Sequence, residues 1–343
     1  MNNNSESSAV TNDPVFVIGN IRSGTSLLMY LLNQHSRIAL MYEASFFKVW
    51  TYSDNLFFRN SKRHRFEKWS QVFSRHGMSL SSSEKKLSLQ NFMTSSYKEY
   101  AHIQNKDIYG EKSPSYADML LRLYKEFPAA RFIIIYRNPL NIISSIKSAG
   151  LQSSTFSSHF LIRQTLVLQQ KLIQQTEKLK ELKASIHELK MEDLTHNPEQ
   201  ELKSICRFLG ISYEPDMVKL KNADLSSLPE GTHHSTLRSR KINKNPPVKA
   251  AIDPKTTNMV LSCLRDWKSS YPGSKGVDYN IPDNIQSQRA GTHILNYLSW
   301  IYQNCHKKLV SLCWLFTPQP LISAYRKLKN HHHTPATKTG PRP

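Results

Sequence analysis

The chain has 343 residues, enough for one large α/β domain or two smaller ones. Hydrophobic residues make up 39% of it and aromatic residues 10%, a composition that excludes wholesale disorder. Lysine and arginine total 46 against 26 acidic residues, for a net charge of +20. That charge favours a polyanionic partner: a nucleotide, a nucleic acid, an anionic lipid surface or an acidic substrate.

The first predicted unit is a strand followed by a glycine loop and a helix. The apolar run Val15–Ile18 indicates a buried strand that ends at Gly19, and helical periodicity begins soon after Gly24. This order is typical of the first unit of a nucleotide-binding α/β fold. A second strand is predicted at Ile38–Met41, and Glu43 follows it.

The later elements continue as strands and helices. The clearest strand is Arg131–Tyr136, because its β-branched run is followed by Arg-Asn-Pro. Residues 46–100 indicate helices joined by loops, and the polar residues 222–256 indicate a loop over a site. Weaker patterns predict one more strand, at Ile186–Met191, and helices at Tyr116–Glu126, Leu140–Lys147, Phe160–Lys183, Pro198–Leu209 and Met259–Trp267.

The loop Gly19–Ser26 has the spacing of a Walker A phosphate loop, but Thr25 stands where the phosphate-binding lysine belongs. Backbone N–H groups and the start of the following helix can still cradle a phosphate. Arg22 adds a cation, and Thr25 and Ser26 add hydroxyl donors. The strand expected to end in a Mg²⁺-binding aspartate ends instead in Arg137. The pattern predicts a nucleotide with two separated phosphate groups, bound without Mg²⁺; a generic βα turn with a surface arginine is the simpler alternative.

Together these motifs resemble the sulfotransferase family that uses 3′-phosphoadenosine 5′-phosphosulfate. The family's 5′-phosphosulfate loop is similar to Arg22–Leu28, which implies donor binding by Arg22, Ser23, Gly24, Thr25 and Ser26. Its 3′-phosphate element is similar to Arg137 and Ser145. The eight-residue step passes around the turn and along two helical turns, so the two side chains can fall close together.

The resemblance spans residues 14–270 and is closer to the tyrosylprotein and bacterial branch than to the cytosolic small-molecule enzymes. It implies a three-layer α/β fold with a central parallel sheet, like that of the P-loop NTPases. It also includes Glu192–Pro198, which we expect as a strand and a turn before the next helix. The basic segment that carries Arg238 and Arg240 lies where the family closes a loop over the 3′-phosphate, although a solvated basic loop explains it equally well.

The resemblance also implies the catalytic roles. Glu43 lies twenty-one residues after Arg22, at the offset of the branch's catalytic base, and at the end of a strand, where α/β ligand sites open. A capping or salt-bridged glutamate is the alternative interpretation. Lys112 has the family's K-x-P context, which places it near the bridging oxygen of the leaving phosphate, and Arg22 shares that task. Glu111 is the rival base, although it points away from Lys112 if the segment is extended.

We therefore expect sulfuryl transfer to an acceptor hydroxyl on a peptide, glycan, lipid or small molecule, without metal or nucleic acid. The alternatives are a Mg²⁺-dependent P-loop nucleotide kinase or NTPase, and a non-catalytic basic protein that binds nucleic acid or lipid. The histidine clusters His233–His234 and His331–His333 lack partners at metal-binding spacing.

The predicted domain organisation has four parts. Residues 1–12 are polar and expected to be disordered, residues 13–279 form the sulfotransferase domain, and residues 330–343 form a disordered tail. Between them, residues 280–329 form a basic amphipathic extension suited to an anionic membrane surface, to packing on the domain's own core or to an oligomer contact. No signal peptide or spanning segment is evident, so we expect a cytoplasmic protein with peripheral membrane contact as one alternative.

Overall fold

The structure is a computed structural model, which describes residues 13–53, 61–81, 83–150, 159–228, 235–242 and 252–282. The predicted terminal segments, 1–12 and 330–343, lie outside the described residues. So does all of the 280–329 extension beyond its first three residues, and with it the predicted membrane contact. Within the described parts of the chain, no helix is long and apolar enough to cross a bilayer.

The core of the molecule is a five-stranded parallel sheet with strand order β2-β3-β1-β4-β5. Its strands are β1 Val15–Gly19, β2 Ile38–Tyr42, β3 Ile108–Lys112, β4 Arg131–Tyr136 and β5 Ser185–Lys190. From the central β1 the chain moves to one side with β2, and later to the other side with β4 and β5. A crevice therefore opens at the carboxyl end of β1, where parallel sheets bind ligands.

Helices cover both faces of the sheet. They are α1 Thr25–Leu32, α2 Phe46–Ser53, α3 Ser61–Arg75, α4 Leu89–Ile103, α5 Leu120–Glu126, α6 Pro139–Gly150, α7 His159–Glu181, α8 Met191–His196, α9 Pro198–Leu209, α10 Ser235–Arg238 and α11 Pro254–Ser270. Along β1, Phe16 and Ile18 enter one hydrophobic cluster while Val15 and Val17 enter the other. This alternation buries both faces, so the predicted three-layer α/β fold with a central parallel sheet is confirmed.

Strand β3 is the element that the sequence pattern does not reveal. Gly110 interrupts its apolar run, and the charged residues Glu111 and Lys112 complete it. A Cβ atom at Gly110 would lie 1.8 Å from the carbonyl oxygen of Val15, so only glycine lets β1 and β3 approach this closely. Close packing of two backbones therefore removes the signal by which buried strands are recognised.

Two further expectations need correction. Glu192 and its neighbours do not continue β5 as a strand, because the chain turns at once into the short helix α8. Helix α11 is longer than predicted: it begins at Pro254, where the side chain of Asp253 caps it by accepting from the backbone N–H of Thr256 at 2.9 Å. The sequence-based boundary missed this turn because its exposed residues lack apolar periodicity.

At the outer edge of β2, a side chain bonds to the strand's backbone, and no further strand of the described residues pairs there. Asn33, just after α1, donates to the carbonyl oxygen of Leu40 at 3.0 Å and accepts from its N–H at 2.8 Å. An unpaired strand edge invites pairing with other chains, and an amide side chain that satisfies both groups blunts it. The carboxyl end of the same strand carries Glu43.

Candidate functional site

A buried asparagine joins the loop between β1 and α1 to helix α7. Asn20 donates to the carbonyl oxygen of Thr165 in α7 at 2.7 Å, and its own side-chain oxygen accepts from the N–H of Ile21 at 2.8 Å. Helix α1 then begins at Thr25 with no side-chain cap and no acidic residue in its first turn. The first-turn N–H groups and the positive end of the helix are therefore available to an anion.

The turn into α1 requires glycine at position 24. Its φ of 94° lies in the left-handed region, and a Cβ atom there would lie 2.2 Å from the sulfur of Met191 in α8. The loop therefore packs directly on the start of α8, which limits how far it can open. This close packing fits a cradle that is formed before an anion arrives.

The predicted 5′ and 3′ phosphate elements meet in the structure. Arg22 donates from Nε to the hydroxyl oxygen of Ser145 at 3.0 Å, and Arg137 donates to the carbonyl oxygen of Arg22 at 2.9 Å. Burial lowers the pKa of both guanidinium groups, and the charge of Arg137 lowers the pKa of Arg22 further. The nearby Glu192 offsets Arg137 only in part, since its Oε1 accepts from the N–H of Asn138 at 2.9 Å. The two arginines thus form a partly desolvated positive centre, which attracts a polyanionic ligand.

A buried lysine lies between the loop and the end of β2. Lys112 has no exposed surface, and its Nζ donates to Oε1 of Glu43 at 2.7 Å and to Oγ of Ser26 at 3.1 Å. The same nitrogen lies 3.6 Å from the centre of the Tyr42 ring. Burial lowers the pKa of Lys112 to about 8, although the carboxylate of Glu43 opposes this shift. Lys112 therefore joins the anion-binding loop to a carboxylate that is 40% exposed.

Sequence comparison identifies the family. Residues 14–215, more than half of the chain, match the sequence model of the sulfotransferase family. The chain belongs to the sulfotransferase family. No curated protein sequence matches it.

The solved structures to which this chain is similar include three sulfotransferases. The sulfotransferase domain from the curacin biosynthetic pathway is 20% identical, with a TM-score of 0.46, and the alignment covers 74% of this chain and 97% of that domain. Mouse sulfotransferase SULT7A1, complexed with PAP, is 14% identical over 78% of this chain and 87% of that one, with a TM-score of 0.45. A sulfotransferase from Alicyclobacillus acidocaldarius is 14% identical over 76% and 96%, with a TM-score of 0.42. The family assignment rests on the sequence match alone.

Alternation along β3 separates the two candidate bases of this sulfotransferase. Lys112 faces the site beside Glu43, whereas Glu111 is fully buried on the other side of the strand. Burial raises the pKa of Glu111 to about 7, and the hydroxyl groups of Tyr116 and Tyr97 oppose the shift without making a well-aligned hydrogen bond. A carboxyl with no exposed surface cannot reach an acceptor, so the geometry favours Glu43 over Glu111.

The two weaker arginine candidates are both exposed. Arg238 is exposed at the end of α10. Arg240 donates to the backbone carbonyl oxygens of Lys221 and Ala223, the latter at 3.1 Å. In this arrangement Arg240 joins two chain segments, and its contact with a 3′-phosphate stays a prediction.

Sequence reasoning missed the contribution of α3 to the site. Arg75, the last residue of that helix, donates to the carbonyl oxygens of Tyr42 and Glu43 at 3.2 and 3.3 Å. Its only sequence signal is that it ends a basic and aromatic stretch, which many surface helices share. No three His, Cys, Asp or Glu residues in the described ranges lie close enough together to hold a metal ion.

Proposed function

We propose that this chain transfers the sulfuryl group of 3′-phosphoadenosine 5′-phosphosulfate to a hydroxyl-bearing acceptor. The observation that carries the proposal is the position of Lys112. Its ammonium group contacts the phosphate loop through Ser26 and the exposed carboxylate of Glu43 at the same time. A group that bridges an anion cradle and a base is suited to a reaction in which one anion leaves as a proton is removed.

The positive centre at the carboxyl end of β1 supports binding of the donor there. Under this proposal residues 22–26 hold the 5′-phosphosulfate, with backbone N–H groups and the uncapped start of α1 as donors. Arg137 and Ser145 hold the 3′-phosphate. Arg22 contacts both elements, so a single nucleotide with phosphates at each end would satisfy all of these groups.

Sulfuryl transfer is a single displacement at sulfur. The acceptor oxygen forms a bond to sulfur while the bond from sulfur to the bridging oxygen of the 5′-phosphate breaks. The acceptor proton passes to the carboxylate of Glu43, and the electron pair of the broken bond stays on the bridging oxygen. The positive charges of Lys112 and Arg22 stabilise that oxygen as adenosine 3′,5′-bisphosphate leaves.

The leading alternative is a Mg²⁺-dependent nucleotide kinase or NTPase. Such enzymes hold the metal with a hydroxyl of the phosphate loop and an aspartate at the end of a neighbouring strand. Here β4 ends at Tyr136 and is followed by Arg137, which lies against the loop. A cation in that position disfavours Mg²⁺ and favours a second phosphate.

Ligand-dependent thermal stability tests the donor assignment. The protein is heated in EDTA with adenosine 3′,5′-bisphosphate, and in parallel with ATP–Mg²⁺ and with duplex DNA. At a hundredfold excess over its Kd, the bisphosphate is expected to raise the Tm by about 5–10 °C. A shift with ATP–Mg²⁺ alone would support the kinase alternative, and a shift with DNA alone would support the basic binding protein.

Turnover identifies the acceptor class. Release of the bisphosphate from 3′-phosphoadenosine 5′-phosphosulfate is measured with phenol, a tyrosyl peptide, a monosaccharide and a long-chain alcohol. Acceptor-dependent release with at least one of them is expected. If the bisphosphate binds but none of these hydroxyl compounds accelerates its release above hydrolysis, the proposed transfer to a hydroxyl is wrong.

A further inference from the structure

The peptide units that carry Glu43 leave the sheet in an uncommon conformation. Glu43 and Ser45 have φ values of 43° and 53°, in the left-handed region that non-glycine residues rarely adopt. This conformation follows β2, which is the edge strand of the sheet, so no strand among the described residues bonds to its outer side. Such a backbone keeps its shape only when the surrounding structure holds it.

The first residue that fixes this backbone by hydrogen bonding is a buried histidine just after α3. Nδ1 of His76 lies 2.8 Å from the carbonyl oxygen of Val72, and a carbonyl can only accept, so Nδ1 carries the proton. Nε2 is then free to accept from the backbone N–H of Tyr42 at 3.0 Å. Burial lowers the pKa of His76 to about 4, which keeps the ring in this neutral form.

The second residue that fixes this backbone is Arg75, next to the histidine. The Arg75 guanidinium donates to the carbonyl oxygens of Tyr42 and Glu43 and lies 5.9 Å from the centre of the Tyr42 ring. From the inner side, the N–H of Glu43 donates to the carbonyl oxygen of Lys112 at 2.9 Å. All four backbone polar groups of Tyr42 and Glu43 are therefore bonded, three of them to residues at the end of α3.

We infer that Arg75 and His76 are positioning residues, which fix the left-handed backbone at Glu43 and so hold its carboxylate against Lys112. We name this pair the α3 clamp. His76 is buried, and both residues bond to backbone groups, so the inference assigns them to positioning rather than to substrate contact. The inference rests on the proposed function, because positioning matters here only if Glu43 takes the acceptor proton. Small errors in the placement of a catalytic group lower rates steeply, while ligand binding elsewhere is unaffected.

The principal test compares Arg75→Ala with Lys68→Ala. Both changes remove a cation from the exposed surface of α3, but Lys68 contacts neither Tyr42 nor Glu43 through any hydrogen bond of the described residues. Turnover is measured with the best acceptor of the panel above, and bisphosphate affinity is measured by calorimetry. Arg75→Ala is expected to lower kcat by about tenfold or more with unchanged bisphosphate affinity, and Arg75→Lys by less. Lys68→Ala is expected to match the wild type.

Hydrogen exchange supplies a readout that needs no acceptor. In Arg75→Ala, amide exchange in the peptide covering residues 39–45 is expected to be about tenfold faster, with no change in the strands β1 and β4. His76→Ala removes the acceptor of the Tyr42 N–H and should increase exchange in the same peptide, with its folding followed by thermal melting. Arg75→Ala remains decisive if that buried variant does not fold.

The outcomes separate the two claims. Wild-type protein that binds no bisphosphate and transfers no sulfuryl group refutes the proposed function, while exchange in residues 39–45 still shows whether the clamp holds the backbone. Active wild-type protein with Arg75→Ala equal to Lys68→Ala in kcat and exchange overturns the inference and leaves the proposed function standing. Equal losses of kcat and of bisphosphate affinity in Arg75→Ala also overturn it, since a positioning residue for Glu43 should not affect the donor.

Discussion

Two neighbouring regions of the site use charge in opposite ways. Around the phosphate loop, Arg22 and Arg137 are partly buried side by side, and Glu192 offsets the charge of Arg137 in part. At the end of β2, the buried Lys112 is matched by a carboxylate at 2.7 Å. One region has excess positive charge before any ligand binds, and the other is balanced.

The difference indicates that one region binds the ligand and the other carries out the reaction. Excess buried charge costs free energy until an anion supplies the missing opposite charge, so the loop region is organised for binding. A balanced pair beside strained backbone has little need of a further ion. It can instead exchange a proton and then stabilise the charge that develops, so the β2 end is organised for chemistry.

Replacing Glu43 should have the largest effect on turnover. The change Glu43→Gln keeps the size of the side chain but removes the base, so kcat is expected to fall by about 10²–10⁴-fold. The affinity for adenosine 3′,5′-bisphosphate should stay within about threefold of the wild type, because the loop region is unchanged. Steady-state kinetics and calorimetry on the same preparation measure both quantities.

The exposed Glu126→Gln in α5 is the matched control, since it removes a carboxylate far from the site elements. It should leave both quantities unchanged. If Glu43→Gln abolishes bisphosphate binding while turnover per bound donor persists, Glu43 is not the base. The division between binding and chemistry would then be wrong.

Replacing Arg137 should have the next largest effect, and the quantity it changes should be the bisphosphate affinity rather than kcat. The Arg137→Ala variant loses a charged hydrogen-bond donor to the 3′-phosphate, so bisphosphate affinity is expected to fall by about 10–100-fold. At saturating donor, kcat should fall much less. Calorimetry in EDTA measures the affinity, and Arg122→Ala, which removes an exposed arginine from α5, is the control. A loss of kcat with unchanged affinity would reverse the roles of the two regions.

The sequence predicts the loop region better than the β2 end, and the reason is physical. The loop and the step from Arg137 to Ser145 are each continuous in the chain, so local geometry places their side chains. The position of Lys112 depends on β3, whose signal Gly110 removes, and on the register between β2 and β3. The contacts of Arg75 join residues more than thirty positions apart, and no local pattern reveals them.

What the sequence did indicate at the β2 end came from periodicity and from the family resemblance. An extended segment at Glu111 and Lys112 must send the two side chains to opposite faces, and the structure confirms it. The offset of Glu43 from Arg22, which came from the family resemblance rather than from periodicity, led to a residue that contacts Lys112. Neither argument could foresee the left-handed backbone at Glu43, because propensity disfavours it and only tertiary contacts maintain it.

The smallest effect on turnover should come from Glu111, which lies one residue from Lys112 but faces the core. Burial raises its pKa from the ordinary 4.5 to about 7. Between these two pH values the folded protein therefore keeps a proton on Glu111 that the unfolded chain has lost. The contribution of Glu111 to wild-type stability should therefore fall as pH rises from about 5 to 7, and then level off. His76, whose pKa is lowered by burial, contributes in the opposite direction in both proteins, so it cancels when wild type and Glu111→Gln are compared. Between pH 5 and 8 the stability difference should shift by about 2 kcal/mol against the wild type.

Denaturant unfolding at several pH values measures that difference, and kcat of Glu111→Gln at pH 7 should stay within about threefold of the wild type. The two carboxylates then make a matched pair within one site. Glu43→Gln changes the reaction, whereas Glu111→Gln changes the pH dependence of stability with little effect on the reaction. A large loss of kcat in a stable Glu111→Gln variant would mean that the core-facing carboxyl acts on Lys112, and that the charge at the β2 end is balanced by two glutamates rather than by Glu43 alone.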